Sequence, residues 1–401
     1  MKEDKKNKLS RRDFLAGSGA LILTGLLGGC AAKTITSTVT RTDTATLINT
    51  LTEDLTTTET ATINSTITST STVTHTATFT QAATKVVTDM AGNKVVVPST
   101  VDKIAVVCYG GATHEIAAMG GASKIVAQPA MTKFPTLLNM YPDFADVPDI
   151  GSFADVNIEE LLEVNPDVVI ASMAYSAMNQ DMTDVGVPVI AVYTGLSDID
   201  GIKSEFAMIG ELLNNSARAE ALIDCWNQQL QIIEQHLQNI PVENRRKVYY
   251  SNGKLMHTDG SAWWGHILIT NAGGINVAES LGENQDIDAE QLVEWNPDVI
   301  IIRQSSAGSA TVTISDVVDN EQLQNINAVT NNKVYLCPVG TFWWDRPAPE
   351  AILGITWLAK ILYPEEFADI DLETLTKEFY AQFYDYELTT EKYEDFLSQE
   401  S

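Results

Sequence analysis

Two passages, NIEELLEVNPDVVIAS (157–172) and DAEQLVEWNPDVIIIR (288–303), are nearly the same phrase written twice. They agree at Glu159/Glu290, Leu161/Leu292, Glu163/Glu294 and the Asn-Pro-Asp-Val block, with Ile170/Ile301 after it. The match is too local for an array of short repeats. Each copy has a mechanical reading. Leucines bury one face of a helix, and Pro166 or Pro297 makes the preceding asparagine an uncomfortable helical residue, so the helix stops there. The unbroken apolar run that follows suits a strand covered on both faces. A helix feeding a parallel strand, twice, predicts two α/β lobes.

Working outward, each lobe supplies more strands. In the first, VVTDMAGNKVVVP (86–98) reads as a hairpin, followed by strands at KIAVVCY (103–109), KIVAQP (124–129) and PVIAVY (188–193), with a helix over about Thr113–Met119. In the second, KVYYSN (247–252) and KVYLCP (333–338) read as strands, and Trp264–Ala272 and PEAILGITWLAKILYP (349–364) as helices, with a polar helix to the end. Between the lobes, Ile202, Phe206, Ile209 and Leu213 keep helical spacing. After Asn214-Asn215-Ser216 a second helix runs without Gly or Pro to about Ile240, roughly 36 Å at 1.5 Å per residue. That is long enough to brace both lobes.

The chain of 401 residues carries a net charge of −28, which argues against nucleic acid and suits a basic partner surface. Residues 1–29 begin with a basic head, pass through SRRDFL (10–15) and a short apolar run, and end at Cys30. Such a run is an export signal, too short to serve as a stable span. Arg11-Arg12 with Phe14-Leu15 resembles a twin-arginine signal, and Leu27-Gly28-Gly29-Cys30 resembles a lipobox that leaves Cys30 lipidated. An uncleaved anchor helix is the alternative; either way the body lies outside the cytoplasmic membrane. Residues 30–84 are dominated by Thr and Ser and read as an extended tether, with a β-rich stalk as the alternative. The expected divisions are then 1–29 signal, 30–84 tether, 85–199 N-terminal lobe, 200–242 connecting helices and 243–401 C-terminal lobe. With Cys30 lipidated, Cys108, Cys225 and Cys337 remain, an odd number, two of them on strands; a Cys108–Cys337 bridge is conceivable. The sequence contains no CxxC or HExxH spacing.

Six stretches in order, VTDMAGNKVVVP, ATHEIAAMGG, IGSFADVNIEELLEVNPDVVIAS, NAGGINVA, EQLVEWNPDVIII and RPAPEAILGITWLAKILYPE, resemble the substrate-binding proteins of ABC importers for iron-siderophore complexes, haem and cobalamin. The resemblance implies two Rossmann-like lobes joined by one long helix with a ligand cleft between them. It also implies a permease dimer with ATPase subunits as partner, no intrinsic cofactor and no catalysis. One glutamate per lobe meets permease arginines in that family, and the matching positions are Glu159 and Glu290. On their own, both are ordinary first-turn residues favoured by the helix dipole.

Ligands of α/β sheets bind beyond the carboxyl ends of strands. That rule selects Tyr109, Tyr175 and Tyr193 in the first lobe, and Arg303, Trp343, Trp344 and Arg346 in the second, with Trp263 and Trp264 in the loop after HTDGS; His114, at the start of a helix near Tyr109, joins them. One ring of each Trp pair packing inward is the bland alternative, as is an ion pair of Arg346 with Asp345 or Glu350. Guanidinium forks beside indoles suit a bulky anionic metal chelate. A haem or corrinoid accepts an axial histidine, for which His114 and His257 are the candidates. An oxyanion such as molybdate or tungstate is the rival solute. An exported enzyme or a surface sensor is the rival class; against an enzyme, no nucleophile elbow, paired metal motif or dinucleotide glycine loop occurs.

Overall fold

The computed structural model describes residues 33–50, 62–79, 83–195, 197–305 and 311–398. The signal segment and Cys30 lie outside them. Chain contacts divide the molecule after Ala83. In the Thr-rich unit, Lys33–Thr50 pairs antiparallel with Thr62–Phe79. The stretch expected as an extended tether is thus a strand pair where it is described, in keeping with the high strand propensity of threonine.

The larger unit, Thr84–Ser401, holds the two copies of the repeated phrase in two separate sheets. The first sheet has four strands in the order Val189–Val192, Val168–Ser172, Ile104–Val106, Ile125–Ala127, all parallel. The second is centred on Lys247–Ser251, Val299–Ile302 and Val334–Leu336, also parallel, with short strands added beyond Lys247–Ser251. Every residue of Val168–Ser172 and Val299–Ile302 is buried, as unbroken apolar strands require.

The Asn-Pro-Asp triplet does the same local work in both copies. Helix Ile158–Val164 starts on an Asn157 cap and ends at Asn165, φ 47°; helix Ala289–Trp295 starts on Asp288 and ends at Asn296, φ 44°. Asparagine tolerates this left-handed turn better than most residues, and the proline behind it blocks further helix. The aspartate then clasps the start of the neighbouring strand. Asp167 Oδ2 accepts from the amides of Asp102 and Lys103, and Asp298 Oδ2 accepts from the Lys247 amide. One motif therefore stops a helix and fixes strand register.

The linking helix is Ser216–Leu237, 22 residues or about 33 Å, shorter than expected because it yields before Pro241. Its buried face includes Ala219, Leu222, Trp226 and Ile233. Trp226 meets Phe206 at 5.5 Å and Trp264 at 6.5 Å, and its indole donates to Pro349 O at 3.0 Å. One hydrophobic cluster runs from Val106 and Ile116 in the first lobe to Trp344 and Ile355 in the second. The lobes share a core as well as a strut.

The chain's end departs from the sequence reading. It is two helices, Leu372–Tyr384 and Thr390–Phe396, and the first buries Phe379, Tyr380, Phe383 and Tyr384. Its polar appearance belongs to one face only.

Candidate functional site

Between the lobes lies a cavity of about 420 Å³. Tyr109, Gly110, Lys133, Phe153, Thr194 and Gly195 line it from the first lobe; Asn252, Trp263, Arg303, Trp343 and Arg346 line it from the second. Strand ends account for most of these positions: Tyr109 follows Ile104–Val106, Thr194 follows Val189–Val192, Asn252 follows Lys247–Ser251 and Arg303 follows Val299–Ile302. The first-lobe wall is aromatic and tightly turned. Tyr109 and Phe153 stand 6.3 Å apart, and Tyr175, more than a third exposed, packs against Phe153 at 5.0 Å with the rings tilted. Phe153 and Thr194 both have positive φ, 59° and 51°, and a left-handed β-branched residue is rare enough to mark a site under strain. Thr194 presses so closely on Gly110 (φ 106°) that a Cβ there would sit 2.9 Å from its Cα. Only glycine fits.

The second-lobe wall carries the charge. Arg303 Nη1 and Arg346 Nη2 both donate to Asn252 Oδ1, at 3.0 and 2.9 Å, and Arg346 Nη1 lies 3.5 Å from Asp259 Oδ2. Asn252 in turn donates to Asp259 Oδ1 at 2.7 Å. The Arg303 guanidinium lies 4.7 Å from the Trp343 ring, and that of Arg346 5.9 Å from Tyr250. Burial opposes the charge on Arg346, but Tyr250, Asp345 and Asp259 outweigh it and its pKa is raised. Asp259 and Asp345 are fully buried beneath the wall, so the cavity itself meets the cations of Arg303, Arg346 and Lys133. Arg303 Nε and Trp343 Nε1 are buried donors with no acceptor among the described residues.

Five of the ten side chains selected from sequence line the cavity: Tyr109, Trp263, Arg303, Trp343 and Arg346. Five do not, Tyr193 among them. Trp264 is buried against Trp226, and Trp344 is buried with its indole donating to Glu350 Oε2 at 3.0 Å; each Trp pair sends one ring inward because adjacent residues cannot share a face. Tyr175 packs against Phe153 without lining the cavity. His114 is a pin between lobes. Its Nε2 donates to Thr341 O at 2.9 Å, its ring packs on Phe134 and Phe342, and burial pushes its pKa down to about 3, so it is neutral. His257, the other candidate axial ligand, pairs with Asp286 at 2.7 Å away from the cavity. Among the described residues, no three His, Cys, Asp or Glu side chains gather as a metal-binding group. Cys108, Cys225 and Cys337 are free thiols.

Lys133, Phe153, Asn252 and Thr194 escaped the sequence reading. The scarcity of cations that singled out the arginines applies equally to Lys133, and the strand-end rule applies equally to Asn252. Phe153 had no such signal beyond the glycine two residues before it in GSFAD.

Two α/β lobes on a stiff strut, with a cavity opening between strand ends, are the architecture of a solute-binding protein. Comparison with known proteins agrees. The periplasmic binding protein family matches residues 106–339, more than half of the chain, and the chain belongs to it as the extracytoplasmic solute-binding component of an ABC importer. Among curated relatives, the molybdate-binding protein MolA of Haemophilus influenzae is 26% identical over 325 residues, 75% of this chain and 91% of that protein. The petrobactin-binding protein YclQ of Bacillus subtilis is 20% identical, over 56% of this chain and 71% of that one. Among solved structures, a periplasmic solute-binding protein from Veillonella parvula aligns with a TM-score of 0.69 at 28% identity, covering 79% of this chain and 97% of that one. Molybdate-bound MolA aligns at 0.68 and 25%, covering 76% and 99%. No helix among the described residues is long and apolar enough to cross a membrane.

Proposed function

We propose that the cavity receives an anionic metal chelate with flat unsaturated surface, of the iron-siderophore kind, and delivers it to the permease. The observation that carries this reading is the combination of three cations with aromatic rings from both lobes around one cavity of about 420 Å³. Guanidinium groups match chelate oxygens, and indole and phenyl faces cover its apolar surface. The volume falls within the range of small-molecule pockets, whereas a tetrahedral oxyanion is only a few water molecules in size. A haem or corrinoid held by an axial histidine is disfavoured, since His114 and His257 lie elsewhere. The second reading is an oxyanion gripped by Arg303 and Arg346, which the likeness to MolA over 325 residues favours. Thermal-shift titration with ferric catecholate and with molybdate separates the two. Stabilisation by the ferric complex alone supports the chelate; stabilisation by molybdate alone supports the oxyanion.

Delivery adds two parts. Glu159 and Glu290 are the docking points for the permease subunits; both are exposed, and neither carboxylate has a partner among the described residues. A twin-arginine-type signal and lipidation at Cys30 anchor the body on the outer face of the membrane. Reconstituted uptake that survives Glu159→Lys with Glu290→Lys contradicts the docking assignment.

A further inference from the structure

Seven large hydrophobic side chains are exposed among the described residues. Two of them, Leu162 at 47% and Val293 at 42%, occupy the same position in the two copies of the repeated passage. Single exposed aliphatics need no explanation. The recurrence at one repeated position, on both lobes, does.

The local geometry joins them to the glutamates. Each helix begins on a side-chain cap, Asn157 or Asp288, and the glutamate is its second residue. Leu162 and Val293 follow three positions later, and residues three apart lie on one ridge of a helix. Leu161 and Leu292, next to them, are fully buried, so each helix is pinned to its lobe and the exposed ridge is a fixed feature rather than a frayed end. Each lobe thus offers a free carboxylate with an aliphatic side chain one turn along.

We propose that each docking point is a two-part contact, Glu159 with Leu162 and Glu290 with Val293, and that the partner is a two-subunit permease presenting a cation beside an apolar socket on each subunit. This rests on the docking reading above. Charge complementarity points to that partner: the chain is strongly acidic, and its two exposed ridges repeat as the permease subunits do. Charge guides encounter and register, while the aliphatic side chains, desolvated on contact, hold the complex.

The test is the affinity of the full-length protein for its cognate permease–ATPase complex in lipid nanodiscs, measured at about 0.1 M and about 0.5 M salt. Leu162→Ala and Val293→Ala each weaken binding roughly tenfold at both salt concentrations, since burial of apolar surface is not screened. Glu159→Gln with Glu290→Gln weakens binding at low salt, and the loss shrinks at high salt. The alanine variants keep the wild-type thermal midpoint and solute affinity, because neither side chain reaches the core or the cavity. Wild-type affinity in the alanine variants, with the glutamine variants weakened, overturns the apolar half while the docking points stand. Wild-type affinity in both alanine variants and in the double glutamine variant overturns the docking reading itself.

Discussion

The two lobes share a scaffold and divide the chemistry. Asn165 and Asn296 turn left-handed at the same point, and Asp167 and Asp298 clasp the same edge of the next strand. Where the strands end, the likeness ends too. Val168–Ser172 runs out in a small hydroxyl bonded to Thr194 at 2.6 Å, whereas Val299–Ile302 runs out in Arg303. The first lobe contributes aromatic rings, a tight glycine wall and the single cation Lys133; the second contributes two indoles and two arginines that share Asn252, one of them, Arg346, also braced by the buried Asp259. A repeated motif can therefore be read as scaffold where its copies agree, and as function where they part.

The largest effect should come from the unequal part. Arg346→Ala leaves Asp259 buried without its counter-charge, a loss of about 3 kcal/mol in folding stability, and, on the proposed reading of the cavity, weakens solute binding at least a hundredfold. Denaturant titration and calorimetry read the two effects. Lys133→Ala, across the cavity, should weaken binding by only about tenfold with no loss of stability. Equal losses at Lys133 and Arg346 break the asserted asymmetry.

The equal part predicts equal costs. Asp167→Ala and Asp298→Ala each orphan strand amides and should each cost about 1–2 kcal/mol, with solute affinity nearly unchanged. A large effect in one lobe and none in the other, seen by denaturant unfolding, means the motif is not one device used twice.

A separate effect concerns pH. Burial raises the carboxyl of Glu205 in the first lobe, and that of Glu350 in the second, from the usual 4.5 to about 7. Glu205 accepts from the Tyr193 amide beneath the cavity wall; Glu350 accepts from Thr341, Trp344 and Tyr380. The native state holds these protons longer than the unfolded chain. The stability they contribute is complete below about pH 4 and is lost as pH rises through about 7. The thermal midpoint should fall between pH 5 and pH 8, and Glu350→Gln should flatten that fall. The smallest effect is Asn165→Gly, which relieves the left-handed turn and should be neutral or stabilising by a few tenths of a kcal/mol; Asn296→Gly also deletes the oxygen that accepts from the Asn327 amide at 2.8 Å and should cost about 1 kcal/mol.

Periodicity made the fold legible. Buried parallel strands write unbroken Val and Ile, and Asn-Pro marks where helices stop, so both lobes and the strut stood in the sequence within a few residues. The helix Leu372–Tyr384 was read as polar because its charged face hides the spacing of Phe379, Tyr380 and Phe383. The site was half legible. Strand ends pointed to Tyr109, Arg303 and Arg346, but local sequence carries no sign of which ring in Trp263-Trp264 or Trp343-Trp344 turns inward. That choice is made by Trp226 and Glu350, more than thirty residues away in one case and by a buried hydrogen bond in the other. Nor does local sequence show that His114 turns away from the cleft, because its partner, Thr341, belongs to the other lobe.

The most direct test is a calorimetric titration of the protein and of its Trp343→Ala variant with a ferric catecholate complex and, separately, with molybdate. The account predicts that the wild type binds the ferric complex and that removing the indole weakens it roughly tenfold. Tight binding of molybdate by both proteins, with no response to the ferric complex, would contradict it.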